Sequence, residues 1–482
     1  MYKFSLTKFV PGCSLKKLTP YIVFLFVIFF FGAFSTYYFN DDFYFLKISR
    51  NFNLTTFISP FRTTFYRPLP TEFFYFFLQK LPYPMITGHL IVFAVFLIGV
   101  YFLYKTIQEI TKNNSLSIFS SILYLFHFSH VYQLYWLATF QEVAQFALLT
   151  SSLYYLLRKK FTLSVVMFTL ALFSKEQALL FPLIAISFYY LRYKKPHPIL
   201  FAYLILDFFF IGLHLFVNSR APVLSEYAIH LNPKLFINNS LWYSLWSLGF
   251  PAMMPDYMRS IFSLPFGAFW DYFKQPMFIM YFFGMILYLG MMMVSIIGIL
   301  LVKNKDRTNL VRFIIGGSVL SLYFLFPVLP IIHKWMVRLT IPLIFISVVE
   351  GCVYAILWSQ KKKRALVVFL LVLYLVWNYF GIKQHEVIST YALESSITQN
   401  AALVFSDVRR FENCQSLYIQ NPKQMKMSSW EGSEKIALTL SGESFVSYYF
   451  PKRNDLRVFY AYKTPIIPKG SCIVDSNELI KK

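Results

Sequence analysis

Stretches of apolar residues recur along most of the chain, separated by short polar or charged segments. A helix of about 20 residues crosses a hydrocarbon core of about 30 Å, so stretches near that length predict membrane spans. Eleven candidates lie at residues 20–39, 86–104, 116–135, 141–157, 161–174, 176–191, 198–217, 277–302, 311–331, 338–358 and 365–381. The pattern predicts an all-α polytopic membrane protein with about eleven transmembrane helices.

The composition indicates the same class of protein. Of the 482 residues, 57% are apolar and 21% are aromatic, while only 14% are charged, and the mean hydropathy is +0.54. A soluble domain has roughly 25% charged residues. The composition therefore excludes an ordinary soluble protein and predicts the lipid bilayer as a partner.

Positive charge is distributed unevenly among the polar segments. Twenty Lys and Arg residues, against two acids, lie in the start to residue 19 and in 105–112, 158–160, 192–195, 303–312 and 361–364. Because short basic loops stay inside, the N-terminus is predicted to be cytoplasmic and the opposite loops extracytoplasmic. The net charge of +23 then reflects topology and attraction to anionic lipid, and nucleic acid is not a predicted partner.

Residues 384–482 form a hydrophilic tail in which short β-type runs are separated by Asn, Pro, Gly and Ser. Following an odd number of spans, this tail is predicted to be an extracytoplasmic domain, a small α/β or mostly β appendage to the transmembrane domain 1–383. Cys414 and Cys472 both fall in the tail, where a disulfide is permitted. Their spacing alone does not decide whether they pair.

Asp41 and Asp42 directly follow the first apolar stretch, at its predicted extracytoplasmic end. Carboxylates there are costly unless water, a cation or a substrate meets them, so this pair is the strongest indication of function. The same outer loop, residues 40–85, carries Arg67, which either snorkels to a lipid phosphate or serves as a fixed cation near the pair. A helix from about residue 70 to 80 is predicted in this loop, lying in the headgroup plane.

Two short outer turns add further charged candidates. Glu142 opens the fourth stretch, and Lys175 and Glu176 lie where the fifth stretch gives way to the sixth. An acid in a first helical turn is favoured by the helix dipole, so both glutamates could serve to stabilise a helix instead of binding a substrate. For Glu176 the adjacent Lys175 also offers a partner.

A basic cluster precedes the tenth stretch. His333, Lys334 and Arg338 place positive charge on the side where membrane proteins usually avoid it. A lipid phosphate is the natural partner for such a cluster. The alternative is local pairing with an outer acid such as Asp271.

Six segments between residues 20 and 360 together carry a resemblance to a known family. They are NDDFYF, YRPLPTEFFYFFLQ, GHLIVFAVFLIGVYFLYK, FHFSHVYQLYWLATFQEVAQFALLTSSLYYLLRKK, FSKEQALLFPL and HKWMVRLTIPLIF. In this order and topology they resemble the C-type (GT-C) membrane glycosyltransferases, in the style of the protein O-mannosyltransferases and their bacterial relatives.

The resemblance implies a sugar transfer from a polyprenyl-phosphate donor to a protein, lipid or glycan acceptor on the extracytoplasmic face. Asp41 or Asp42 would match the catalytic acid of the first loop, and Arg338 the residue that binds the carrier phosphate. The other candidates for substrate binding are Arg67, Glu142, Lys175, Glu176, His333 and Lys334. The family's usual Asp-Glu pair is Asp-Asp here, which leaves open which member is catalytic.

The chemistry of these residue types agrees with the resemblance. A carboxylate can take the proton of an attacking hydroxyl, and a cation can stabilise the departing lipid phosphate. No cofactor is predicted, and no Cys/His spacing indicates a zinc site. The two neighbouring aspartates could instead hold a divalent cation.

A transporter or flippase of lipid-linked sugars is the alternative of a different class, and a ligase of such sugars is a closer one. Transporters often have two related halves with broken helices at matching positions, and the sequence has no such internal repeat. Its candidate ionisable residues gather in outer loops and at span ends, and Asp207 and Glu350 are the two acids that lie well inside predicted spans.

Overall fold

A computed structural model describes residues 15–59, 65–218, 227–252, 254–258, 269–302, 305–388, 390–422, 432–453 and 455–480. The beginning of the predicted cytoplasmic N-terminal segment, residues 1–14, lies outside these ranges. All nine candidate site residues lie within them.

The described residues up to residue 388 are mainly helical. Their α-helices are α1 (Leu15–Phe29), α2 (Asp41–Ser49), α3 (Leu54–Ile58), α4 (Phe74–Leu78), α5 (Pro84–Thr111), α6 (Asn114–Leu125), α7 (Val131–Tyr135), α8 (Phe140–Leu157), α9 (Phe161–Leu172), α10 (Phe181–Tyr193), α11 (Ile199–Asn218), α12 (Pro233–Ser247), α13 (Phe269–Phe273), α14 (Pro276–Leu301), α15 (Lys305–Leu325), α16 (Pro342–Ser359) and α17 (Arg364–Ile388). Shorter helical turns include Phe31–Ser35, Leu69–Phe73, Phe128–His130, Glu176–Leu180 and Met336–Leu339.

Six helices in the described part of the chain are long and apolar enough to cross a membrane: α5, α11, α14, α15, α16 and α17. Each overlaps one of the predicted stretches. The chain is therefore a helical multi-pass membrane protein, as predicted. The predicted number of about eleven spans is wrong.

The other five predicted spans, at 20–39, 116–135, 141–157, 161–174 and 176–191, differ for identifiable reasons. Helix α1 ends at Phe29, and α6 ends at Leu125. Helices α9 and α10 have 12 and 13 residues, which reach only about 18–20 Å. Helix α8 has 18 residues but carries Gln141, Glu142 and Gln145 in its first two turns.

Small residues let the central helices approach closely. Helix α5 packs against α6 and α8, and α16 packs against α6 and α15. A Cβ atom at Gly99 would lie 2.4 Å from the Phe146 ring, and one at Gly351 would lie 2.8 Å from the Ser120 backbone nitrogen. Glycine at these two positions brings backbones together, as is common between membrane helices.

Three of the predicted cytoplasmic loops meet at Glu109. Its carboxylate lies 2.7 Å from Lys112, 2.8 Å from Arg192 and 3.7 Å from Arg158. The segments 105–112, 158–160 and 192–195 therefore lie at one end of the helical bundle, which we call the Glu109 end. Their common location agrees with the charge pattern, although it does not identify the compartment.

The tail is an α/β unit, as the β-type runs predicted. Its strands are β1 (Ser416–Ile419), β2 (Arg457–Tyr460) and β3 (Ser471–Val474), all parallel, in the order β2-β1-β3. Its helices are α18 (Thr390–Ser406), α19 (Glu434–Thr439), α20 (Ser444–Tyr449) and α21 (Ser476–Ile480). Cys414 and Cys472 form a disulfide, with their Cα atoms 5.5 Å apart.

Candidate functional site

The first acidic residue follows an unusual backbone position. Asn40 has φ 53° and ψ −125°, and its N–H donates a 2.6 Å hydrogen bond to the carbonyl of Thr439 in α19. Residues other than glycine rarely adopt such backbone angles, and where the angles occur the surrounding structure enforces them. Asp41 and Asp42 then form the first turn of α2, where the helix dipole favours carboxylates.

Asp42 is buried and both of its oxygens accept hydrogen bonds. One oxygen accepts a hydrogen bond from the Phe39 N–H at 3.0 Å, and the other accepts a hydrogen bond from the Tyr75 hydroxyl. Burial raises the pKa of Asp42 to about 7, against the lowering effect of the Tyr75 and Phe39 hydrogen bonds. These contacts fix the turn, so Asp42 stabilises the conformation of residues 37–50, which we call the acid loop.

Asp41 has a different environment. Its side chain is exposed, and within the described residues it has no hydrogen-bond or ion-pair partner. Surrounding protein nevertheless desolvates it and raises its pKa to about 6, while Arg67 lowers that pKa and Glu394 raises it. A carboxylate that is both accessible and desolvated lies in a recess, where it can meet a ligand.

Arg67 is fixed in place at this recess. Its Nε and Nη2 atoms donate to the two carboxylate oxygens of Glu176 at 2.7 and 2.5 Å, and Nη1 donates to Gln141 at 2.7 Å. Its guanidinium also lies 4.5 Å from the ring centre of Phe65. Although burial alone would raise the pKa of Glu176, Arg67 lowers it to about 2. Arg67 is thus a fixed cation, with its charge already balanced by Glu176.

Lys175 does not form an ion pair with the adjacent Glu176, the partner that the sequence suggested. It forms a buried ion pair with Glu142 across the turn, while Glu176 pairs with Arg67. Burial lowers the pKa of Lys175 well below its ordinary value, and the charges of Arg67 and Arg338 lower it further. The second carboxylate oxygen of Glu142 is buried and has no hydrogen-bond partner among the described residues.

Arg338 is buried at 7% exposure. It donates a 2.7 Å hydrogen bond to the carbonyl of His333, and its guanidinium lies 5.9 Å from the ring centre of Tyr227. No carboxylate of the described residues forms an ion pair with it. The alternative partner Asp271 is exposed and pairs with Lys274 at 3.1 Å.

The rest of the basic cluster adjoins Arg338. His333 and Lys334 are both half-buried. Burial lowers the pKa of His333 to about 4, with further lowering by Arg338 and Lys334, so His333 is neutral near neutral pH. The positive charge of this cluster therefore resides on Lys334 and Arg338.

Two tryptophans join the acid loop to the basic cluster. Trp136 stacks on Phe39 with ring centres 5.4 Å apart, and its indole N–H donates to the Phe39 carbonyl at 3.2 Å. Trp136 also contacts Trp335 at 5.2 Å, and Trp335 contacts His333 at 6.0 Å. Neither tryptophan was expected from the sequence to belong to the site, although each lies within a few residues of a charged candidate.

An apolar groove begins beside this charged site. It has a volume of about 350 Å³ and is walled by α5, α8, α10, α15 and α16. At one end lie Phe181 and Phe324, and the Phe324 carbonyl accepts a 2.8 Å hydrogen bond from Gln177, two residues after Lys175. The groove extends along α15 to Arg312, which is about 18 Å away along the helix axis.

The described residues contain no group of three or more His, Cys, Asp or Glu side chains placed to hold one metal ion. Of the two aspartates proposed as alternative cation ligands, Asp42 already has both oxygens in hydrogen bonds. The chain's sequence matches no protein-family model and no curated protein.

Proposed function

We propose that this chain is an integral-membrane glycosyltransferase that moves a sugar from a polyprenyl-phosphate donor to a hydroxyl of a protein, lipid or glycan acceptor. One arrangement carries the proposal. The accessible carboxylate Asp41 lies within electrostatic reach of the fixed cation Arg67, and Arg67 and Arg338 both act on Lys175. An apolar groove starts within a few residues of Lys175 and Arg338 along the chain.

Asp41 is the base in this proposal. The acceptor oxygen forms a bond to the anomeric carbon of the sugar, and its proton passes to the Asp41 carboxylate. The bond from that carbon to the phosphate oxygen breaks, and the electron pair leaves with the polyprenyl phosphate. Asp42 supports this step by holding the first turn of α2, through its bonds to Phe39 and Tyr75.

Arg338 suits the carrier phosphate because of how the other charges are arranged. Arg67 is balanced by Glu176, and Lys175 by Glu142. Arg338 is the buried cation of this site that lacks a carboxylate partner among the described residues. A buried guanidinium binds a phosphate strongly, because few competing waters reach it.

The groove is suited to the hydrocarbon part of the donor. Its walls are almost entirely apolar, and it starts next to Phe181 and Ile341, which follow closely after Lys175 and Arg338. A polyprenyl chain lying in it would keep its phosphate near Arg338 while staying shielded from water. This geometry favours a donor with a lipid tail over a soluble nucleotide sugar.

The proposed membrane is the bacterial plasma membrane, with the Glu109 end in the cytoplasm and residues 384–482 outside. Reporter fusions after residues 195, 364 and 400 test this orientation. The first two are expected to report the cytoplasm and the third the outer face. A cytoplasmic signal at 400 would contradict the proposed active face.

The decisive experiment is to incubate purified protein in detergent with a panel of radiolabelled polyprenyl-phosphate sugars, alone and with acceptor lipids or peptides. Transfer or slow hydrolysis of the labelled sugar is expected from the wild type and not from Asp41→Asn. Asp271→Asn, an exposed acid outside the site, is the matched control. Movement of the intact donor across vesicles without cleavage would instead identify a flippase, and use of diphosphate-linked glycans alone would identify a ligase.

A further inference from the structure

A second cavity lies behind the acid loop, outside the cluster of Asp41, Arg67 and Arg338. Its volume is about 220 Å³, and its walls come from the Phe31–Ser35 turn, α7, the end of α17 and α18. Since one water molecule occupies about 30 Å³ of the liquid, this space equals about seven waters. The cavity therefore suits one small molecule and not a lipid chain.

The walls of this cavity are polar, unlike those of the apolar groove. Hydroxyl groups of Ser35, Thr36, Ser395 and Ser396 line it, with the amide of Gln399 at its exposed side. A second group of three lining residues adds an ionisable face: Tyr135, His385 and Glu386. Such a wall offers both donors and acceptors of hydrogen bonds within a single-molecule volume.

Glu386 is held at the cavity by specific contacts. Its carboxylate lies 2.8 Å from the Lys383 amine and accepts a hydrogen bond from the Tyr135 hydroxyl. A Cβ atom at Gly32 would lie 2.3 Å from Glu386 Oε1, so the carboxylate lies directly against the backbone of Gly32. The ion pair with Lys383 neutralises the site, which therefore does not favour a charged ligand.

His385 gives the independent indication of a ligand. Its side chain is only 8% exposed and lines the cavity, yet within the described residues its ring nitrogens have no hydrogen-bond partner. Buried polar groups are nearly always satisfied, and exceptions call for an explanation. The Ser396 hydroxyl, also on the wall, likewise has no hydrogen bond to a described residue.

We propose that this cavity binds a neutral polyhydroxylated molecule, specifically a single sugar ring, at a site separate from the one that contains Asp41. Hydroxyls of the sugar can donate to Glu386 and to the Gln399 carbonyl, and can accept from His385 and Ser396. This site goes beyond the proposed function, which requires only the donor sugar and the reacting acceptor hydroxyl at Asp41.

The cavity has a direct link to the acid loop. The Tyr37 N–H donates a 3.0 Å hydrogen bond to the Ser395 hydroxyl in the cavity wall, and Asp41 follows four residues later. Ser395 also follows Glu394, whose charge raises the pKa of Asp41. A sugar in the cavity contacts the same two segments that hold Asp41, as an acceptor glycan reaching beyond its reacting residue would.

Saturation-transfer NMR and calorimetric titration of the full chain, in a detergent without a sugar head group, test the proposal. The probes are D-glucose, D-mannose and D-xylose, with glucuronate and glucosamine as charged comparisons. We expect at least one neutral sugar to bind the wild type more tightly than either charged analogue does. Absence of binding by all three neutral sugars would overturn the proposal.

Four variants locate the binding site. Ser396→Leu fills the cavity and is expected to abolish binding, while Gln399→Ala, at an exposed position, is expected to weaken it about three- to tenfold. Ser406→Leu, exposed on the same helix, and Asp41→Asn are expected to bind like the wild type.

Each pattern of results is decisive. Unchanged binding by Ser396→Leu would overturn the proposal, and if that variant does not fold, unchanged binding by Gln399→Ala would do so. Loss of binding by Asp41→Asn, with binding kept by the cavity variants, would assign the sugar to the acid loop. That result would reject this second site and leave the proposed function standing.

Discussion

The backbone N–H of Asn40 donates its hydrogen bond to the carbonyl of Thr439, the last residue of α19. A carbonyl at the end of a helix lacks an intrahelical partner, so the acid loop satisfies it. The tail makes other contacts with the same loop, including Arg50 donating to the Ser447 carbonyl and the Tyr38 and Tyr448 rings at 5.6 Å. The tail therefore holds the acid loop in position.

Asn40 provides the first prediction. Because φ 53° with ψ −125° suits glycine, Asn40→Gly is expected to keep or raise the melting temperature. Asn40→Ala is expected to destabilise the protein by about 1–3 kcal/mol, the usual cost of a strained backbone position. Asn53, with an ordinary extended φ of −150°, is the control, where glycine should not stabilise. Equal melting temperatures for the two Asn40 variants would contradict the assignment of strain.

The acid pair gives the second prediction. The sequence left open which of the two aspartates is catalytic, and in the structure the two side chains have different environments. Asp41→Asn is expected to reduce transfer by about 10²–10⁴ with an unchanged melting temperature, because it removes only the base. Asp42→Asn places an amide against the donors of Phe39 and Tyr75, and should cost about 1–3 kcal/mol of stability. Full transfer by the double variant would eliminate the catalytic role.

The pH dependence of transfer follows from the pKa of Asp41, which is raised to about 6. A general base acts only when deprotonated, so transfer should fall about tenfold per pH unit below pH 6. Arg67 lowers this pKa, and Arg67→Gln is therefore expected to move the acidic limb of the pH–activity profile to higher pH. Lys274→Gln, at an exposed ion pair outside the site, should leave it in place. A limb unaffected by Arg67→Gln would assign it to a group other than Asp41.

Arg338 gives a prediction about donor binding. Arg338→Ala is expected to raise the KM for the polyprenyl-phosphate sugar at least about tenfold, since a hydrogen bond to a charged group contributes about 1.5–3 kcal/mol. Arg338→Lys should recover part of this loss, because it restores the charge without the planar fork. Donor saturation curves of correctly folded variants measure the effect. Unchanged curves for Arg338→Ala would remove Arg338 from the site.

The charged residues selected from the sequence lie near one another in the structure, and their role as a site stays a prediction. Asp41, Glu176 and Arg338 were identified from their positions at the ends of apolar stretches, and Arg67 from its place in the outer loop 40–85. In the structure Arg67 pairs with Glu176 and acts electrostatically on Asp41, and both Arg67 and Arg338 act on Lys175. Position relative to the membrane is a property that charge patterns encode directly. Which acid pairs with which base depends on packing, and Lys175 accordingly pairs with Glu142 instead of the adjacent Glu176.

The errors in the helices have a common physical cause. An apolar stretch reports only that a segment is shielded from water, and both lipid and the interior of a protein provide such shielding. Leu123 and Phe128 belong to one predicted span, and both are fully buried inside the protein. The break between them is made by His127, whose ring accepts the Ser129 N–H and starts a new turn. Hydropathy does not distinguish this interrupted core segment from a span.

The last prediction concerns the buried ion pair between Glu394 of α18 and Lys435 of α19, whose side chains are 5% and 2% exposed. Removing one partner of such a pair leaves an uncompensated buried charge, so Lys435→Met is expected to destabilise the protein by about 3–5 kcal/mol. Replacing both, as Glu394→Leu with Lys435→Met, removes the stranded charge and should restore most of the melting temperature. Because α19 also carries Thr439, the single variant should lose transfer activity along with stability. A single variant as stable as the wild type would show that α19 does not depend on this pair for its position over the acid loop.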